Sequence, residues 1–301
     1  MRGRITIRSH SRRSVRRGDD SQNEELRFPM AVIPNAVKQR LRAGEVASGF
    51  GVSLTRGAAV PHLASAAGYH WLVIDGEHGA FTLHDVVQLC TASLFAGVTP
   101  IVRARMQALD EAARALDNGA QGVIVPNVNT AAQAKEIVDQ LRYPPTGSRN
   151  WGPSGIQFGY QVPAPQEAQA AMDGEVLIAA MIESEEGVAN AAGIAAVNGI
   201  DLLFVGGIDL SIALGVPSQF GHSRMLQAME TITAAARASG KHVGMGGIYD
   251  QELTARFIRM GALFVAGGSD QAFMLGAAKS RSSFIDQCAT ASRQPGTEVR
   301  K

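Results

Sequence analysis

The chain has 301 residues, 46% of them hydrophobic, with 28 basic and 27 acidic side chains for a formal net charge of +1. That length and apolar content suffice for a large core in one big α/β domain or two smaller ones. The near-neutral balance argues against a body built to bind nucleic acid or another strongly charged partner. Cys90 and Cys288 stand too far apart to suggest a disulfide framework or zinc site, and no window has the ~18 uninterrupted apolar residues of a membrane-spanning helix; a soluble cytoplasmic protein is expected.

The first stretch, "MRGRITIRSHSRRSVRRG", carries Arg2, Arg4, Arg8, Arg12, Arg13, Arg16 and Arg17 before the first acid, Asp19. Without apolar periodicity, residues 1–29 are expected to be a disordered extension, with the folded domain spanning 30–301 from "MAVIPNAVKQRLRAGE". The extension lacks the apolar run of a secretory signal; its Arg-rich, acid-free composition resembles an organelle transit peptide. A non-catalytic or nucleic-acid-binding protein that uses this tail, its phosphate contacts weakening steeply with salt, is a competing class of function. The neutral body and its set of ionisable strand ends argue against it.

Eight short apolar runs then recur, most followed by an Ala-rich amphipathic segment: "GFGVSL" (49–54), "WLVID" (71–75), "PIVRA" (100–104), "GVIVP" (122–126), "VLIAAMIE" (176–183), "LLFVG" (202–206), "HVGMG" (242–246) and "LFVAG" (263–267). This βα repetition, unbroken by a shift in composition, predicts a single-domain TIM-type (β/α)8 barrel. A doubly wound sheet is disfavoured because no G-x-G-x-x-G follows the first strand. "DEAARALDNG" and "AAQAKEIVDQL" space their apolar residues as helices do, with Gly119 placed to stop the first. The segment 142–165, rich in Pro, Gly and aromatics (Tyr143, Trp151, Phe158, Tyr160), is expected to be an ordered lid.

In such a barrel the strand C-termini share one mouth. Asp75, Glu77 and His78 end the second strand, Arg103 lies in the third, Glu183 ends the fifth and Asp209 follows the sixth. Glu183 and Asp209 offer the hard oxygens that suit Mg²⁺ or Mn²⁺ better than zinc; alternatively, each is a helix cap. Arg103 either holds a developing oxyanion or pairs with Asp75 or Glu77. His78 is a candidate base, with Asp75 near enough to orient it, or simply a hydrogen-bonded strand-end histidine. His62, His70, His84, His222 and His242 lack comparable acidic neighbours at a strand exit, although His84 adjoins Asp85. Gly206 and Gly207 precede a short helix whose free N–H groups favour an anion, and "GMGG" (244–247) and "AGGS" (266–269) make similar exits; all three could also be plain tight turns.

In order and approximate spacing, "WLVIDGEHG", "PIVRA", "GVIVPNVNTAAQA", "RYPPTGSRNWG", "MIESEEGVAN" and "FVGGIDLSIALG" resemble the class II pyruvate-dependent aldolases, the 4-hydroxy-2-oxo-heptanedioate aldolase family that also includes 2-keto-3-deoxy sugar acid aldolases. The resemblance runs from about Met30 to Cys288. It implies a lyase that reversibly cleaves a 4-hydroxy-2-oxo acid to pyruvate and an aldehyde through a metal-stabilised enolate. Under it, Glu183 and Asp209 match the metal ligands (Mg²⁺ or Mn²⁺, with Co²⁺ a further option). Arg103 matches the arginine facing the enolate oxygen, and His78 with Asp75 the acid/base pair. Gly207, Ile208 and Asp209 surround the pyruvate carboxylate. It also implies a homohexamer, a trimer of dimers, with the segment from Ser269 onward packed on a neighbour. Two departures touch the site: Met181 stands where a substrate-contacting glutamine is usual, and "GGID" replaces a Gly-Pro-small-Asp run. The chain is similar as well to siderophore-associated citrate synthases, which join acetyl-CoA to oxaloacetate on the same barrel, and these altered positions keep that alternative open.

Overall fold

A computed structural model describes residues 31–292; the expected extension 1–29 and the last residues of the 30–301 domain lie outside them. In chain order the elements are α1 (Ala36–Arg42), β1 (Ala47–Val52), α2 (Ala59–Ala66), β2 (Trp71–Asp75), α3 (Leu83–Ala96), β3 (Thr99–Arg103), α4 (Leu109–Asp117), β4 (Gly122–Val125), α5 (Ala131–Leu141) and α6 (Pro165–Glu175). There follow β5 (Leu177–Ile182), α7 (Glu185–Ala189), α8 (Ala191–Ala195), β6 (Leu202–Gly206), α9 (Gly207–Ala213), α10 (Ser223–Ala238), β7 (His242–Gly246), α11 (Gln251–Met260), β8 (Ala262–Ser269) and α12 (Asp270–Ser292). The strands pair in parallel and in sequence order, and β8 returns to β1 to close the barrel.

Closure leaves two apolar layers. Inside the ring, Trp71, Ile101, Ile124, Leu177, Met181, Leu202, Phe204 and Phe264 fill the core, and Val37 and Leu41 of α1 join them. Trp71 stacks on Phe264 with ring centroids 3.8 Å apart, and Gly49 makes room for the indole: a Cβ there would stand 2.2 Å from it. The outer layer packs strand residues such as Leu72, Ile74, Val123 and Val205 against the helices. Local chemistry sets the helix starts, with reciprocal capping boxes at Thr82/Asp85 and Thr130/Gln133. The helix stopped near Gly119 is α4, and Gly119 has φ +111°.

Two features differ from the sequence-based expectation. β1 starts two residues earlier, at Ala47, and ends at Val52, because Ser53, Leu54 and Thr55 turn away to bind the Asp270 carboxylate through their backbone N–H groups. The segment 142–165 is ordered but is not a lid on the barrel mouth. Tyr143 and Phe158 pack with Ala168 and Met172 of α6 into a satellite cluster on the barrel's flank, and none of the segment's aromatics lines the mouth. Within the single chain, Phe273, Met274, Leu275, Phe284 and Ile285 of the 23-residue α12 are exposed.

No helix among the described residues is long and apolar enough to cross a membrane. Cys90 is buried and Cys288 exposed, both as free thiols.

Candidate active site

The barrel mouth opens on a cavity of about 300 Å³ whose lining includes Asp75, Arg103, Met181, Gly207, Ile208 and Asp209. Parallel pairing brings the first two together: in the β2–β3 register Asp75 lies opposite Arg103. The carboxylate takes the guanidinium in a two-pronged contact, Nε to Oδ1 at 3.0 Å and Nη2 to Oδ2 at 2.6 Å. Nη1 of Arg103 also lies 3.4 Å from Glu77 Oε2. Burial alone would raise the Asp75 pKa, but the Arg103 contact and the backbone N–H groups of His78 and Glu77 hold it below the ordinary carboxylate value. Burial likewise works against the Arg103 charge, and the Asp75 and Glu77 carboxylates outweigh it and raise its pKa.

The expected Asp75–His78 pairing takes another form. Asp75 Oδ1 accepts the backbone N–H of His78 rather than an imidazole hydrogen bond. The ring instead lies 3.6 Å, through Nε2, from the same Glu77 oxygen that contacts Arg103, and its side chain is 70% exposed at the outer rim. Glu77 therefore links the arginine and the histidine. Its place beside His78 was visible in the string "DGEHG", but which acid would face the imidazole depends on the turn after β2.

Glu183 directly follows β5 and is 6% exposed. It does not cap α7: Ser184 does so, accepting Gly187 N–H, while Glu183 Oε1 accepts the Asn127 backbone N–H at 2.8 Å. Asn127, at φ +56°, is a contributor the sequence reading missed; asparagine tolerates that conformation, so its place after β4 was the available signal. Burial pushes the Glu183 pKa up to about 7; Asn127 opposes the rise, Asp209 and Glu77 add to it, and Arg103 opposes it. Asp209 lies in the first turn of α9. Gly206 and Gly207 serve close packing: a Cβ on Gly206 would stand 2.5 Å from Glu183 Oε2 and 2.6 Å from Met181 Cε, and one on Gly207 2.6 Å from the Ile248 side chain.

Glu183 and Asp209 suit a hard divalent cation: two carboxylates, with no soft ligand, whose mutual repulsion a cation relieves. Among the described residues no cluster of three or more His, Cys, Asp or Glu side chains is arranged to hold a metal. An ion on this pair would therefore complete its shell with substrate and water. Met181 brings a thioether to the cavity wall in place of an amide, beside the aromatic floor of Trp71 and Phe204.

The chain is similar to relatives of known name. Residues 54–277 match the family model described as HpcH/HpaI aldolase/citrate lyase. The 4-hydroxy-4-methyl-2-oxoglutarate aldolase tasA of Hapsidospora irregularis is 34% identical over 240 residues, 76% of this chain and 89% of its own. The 2-keto-3-deoxy-L-rhamnonate aldolase of Escherichia coli strain K12 is also 34% identical over 240 residues, 80% of this chain and 89% of its own. Among solved structures, the citrate synthase SbnG superposes with a TM-score of 0.75 at 28% identity, covering 84% of this chain and 98% of that one. Strand order, cavity and relatives agree: the chain belongs to the HpcH/HpaI aldolase/citrate lyase family.

Proposed function

We propose that this protein is a class II pyruvate-type aldolase, a carbon–carbon lyase that reversibly cleaves a 4-hydroxy-2-oxo acid to pyruvate and an aldehyde. The observation that carries this reading is one cavity lined by Arg103, which two carboxylates hold, and by Asp209, with Glu183 buried at the end of β5 close enough for its charge to be felt by both. Mg²⁺, Mn²⁺ or Co²⁺ would be held by that pair and, when bound, supplies a Lewis acid that draws charge from the oxygens of the 2-oxo acid.

The chain's own groups do the rest. Arg103 keeps a fixed charge toward the C2 oxygen, where the enolate develops, because Asp75 and Glu77 leave its fork no other orientation. The backbone around Gly207, Ile208 and Asp209 receives the carboxylate at the start of α9. In the cleavage direction His78 takes the C4 hydroxyl proton, the C3–C4 bond breaks, and its electron pair spreads onto the C2 oxygen; a proton returned to C3 completes pyruvate. Glu77 lies 3.6 Å from the imidazole Nε2 and ties the ring's place on the rim to Arg103.

A small 2-oxo acid and an aldehyde are thus the expected partners, in the cytoplasm. The exposed apolar side chains of α12 fit burial against a second copy of the chain, as in a hexamer built from dimers. The test supplies purified protein with pyruvate plus a short aldehyde, or acetyl-CoA plus oxaloacetate, each with and without EDTA, and identifies products by mass. Aldol adducts lost on chelation support the proposal. Citrate formed despite EDTA would replace it with the citrate-synthase reading, which Met181 and the SbnG likeness favour.

A further inference from the structure

The opposite end of the barrel holds a second cavity, of about 130 Å³, lined among others by Lys38, Arg42, Asp201, Lys241 and His242. Helix α1 supplies Lys38 and Arg42, the residue preceding β6 is Asp201, and Lys241 and His242 stand at the start of β7. Asp201 is the one acid among the lining residues, and its charge is already engaged. Oδ2 accepts Arg142 Nη2 and the Ile178 backbone N–H at 2.7 Å, and Oδ1 lies 3.4 Å from Lys38 Nζ.

The Lys38 side chain is only 11% exposed, and its ammonium donates to the Val176 carbonyl at 2.8 Å and, at longer range, to Asp201. An ammonium has three N–H donors, so one is left over beside the cavity. Among the described residues, Arg42 and Lys241 have no acidic partner, and the positive charges around this space outnumber the negative. Burial lowers the Lys38 pKa; Asp201 opposes this, while Arg142 and Arg42 reinforce it. At roughly 30 Å³ per water, the cavity has room for about four, a volume suited to an oxyanion of a few heavy atoms.

We propose that this basal cavity is a binding site for a small dianionic oxyanion, a phosphate or compact dicarboxylate, held by Lys38, Arg42 and Lys241 and separate from the catalytic mouth. It follows from the surplus of positive charge around this cleft at the barrel's base and does not depend on the reaction assigned to the mouth.

Isothermal titration of the full chain with inorganic phosphate, and in a second arm malonate, tests it, with ionic strength matched by NaCl. The expected result is saturable binding of at least one of the two, weakened at least about tenfold when Arg42→Gln and Lys241→Gln are combined, and lost in Lys241→Glu. A second readout, the midpoint of thermal unfolding, follows the same difference between wild type and variants, and comparing the two cancels the general stabilisation that phosphate gives any protein. Equal affinity in wild type and double variant would assign the anion to the mouth and overturn the proposal, as would no binding beyond that of chloride. Neither substitution touches the mouth, so aldol activity should persist in both, and its absence from the wild type would count against the proposed reaction alone.

Discussion

The two ends of this barrel carry opposite charge on one scaffold. At the mouth Asp75, Glu77 and Glu183 act on one guanidinium, Arg103, with Asp209 on the same cavity wall; at the base Lys38, Arg42 and Lys241 line a cleft with one carboxylate, Asp201, which Arg142 holds while also reaching Asp173. At each end the minority charge is the one most firmly held. Arg103 is gripped by Asp75 on two nitrogens and approached by Glu77 on the third; Asp201 is gripped by Arg142 and the Ile178 N–H. The surplus charges, acids above and bases below, are those left to answer a ligand of opposite sign. On the proposed reaction, Arg103 and Arg142 would separate a catalytic arginine from a structural one within the same fold.

The sharpest way to break that separation is to truncate each arginine. Arg142 is 6% exposed and donates to the carbonyls of Gly199 and Asp173 as well as to Asp201. Arg142→Ala is expected to cost about 3–5 kcal/mol, the scale of breaking a buried ion pair, with kcat per folded molecule unchanged. Arg103, 21% exposed and better solvated, should show the reverse pattern. Arg103→Ala is expected to lower kcat by about 10²–10³, as for loss of a group that stabilises developing charge, with a smaller fall in the urea midpoint. Equal loss of turnover in both variants would erase the distinction.

The sequence made the mouth far more legible than the base. The eight strand runs all appear as strands, since alternation of apolar runs with helical segments is a signal of the whole chain. Asp75, Arg103, Glu183 and Asp209 could then be placed on one rim from strand ends alone. What was hidden depended on neighbours distant in sequence. The Asp75–Arg103 grip follows from a strand register that periodicity does not reveal, and the role of Asp270 as acceptor for the Ser53–Thr55 turn joins positions more than 210 residues apart in the chain. Lys38, Arg42 and Lys241 look in sequence like ordinary surface charges, because nothing local shows that α1 and the start of β7 meet at the base.

Glu183 sharpens the comparison through pH. Its carboxyl titrates near 7 in the folded chain against 4.5 ordinarily, so between those values the native state binds more protons than the unfolded one. Stability therefore falls as pH rises through this window and stays reduced above it. In EDTA at pH 8, Glu183→Gln is expected to be more stable than wild type by up to about 3 kcal/mol, and the two should converge near pH 4.5. Manganese should raise the wild-type urea midpoint and leave the variant nearly unchanged if the acidic surplus exists to hold a cation. A variant no more stable than wild type at pH 8 would show that the mouth already relieves its own repulsion.

The smallest expected effect concerns the most exposed group at the mouth. His78 meets solvent over 70% of its side chain and contacts Glu77 at 3.6 Å, so His78→Ala removes little packing and should leave the unfolding midpoint within about 0.5 kcal/mol of wild type, as for other surface substitutions. Its expected loss is instead in turnover, about 10²-fold, the usual contribution of a positioned acid or base. A purely structural histidine would give no such split between stability and rate. Comparing kcat with KM decides further: removal of a proton carrier lowers kcat with little change in KM, whereas loss of a binding contact raises KM and spares kcat. The second pattern would move proton transfer to another rim group and leave Glu77 as a partner of Arg103 alone.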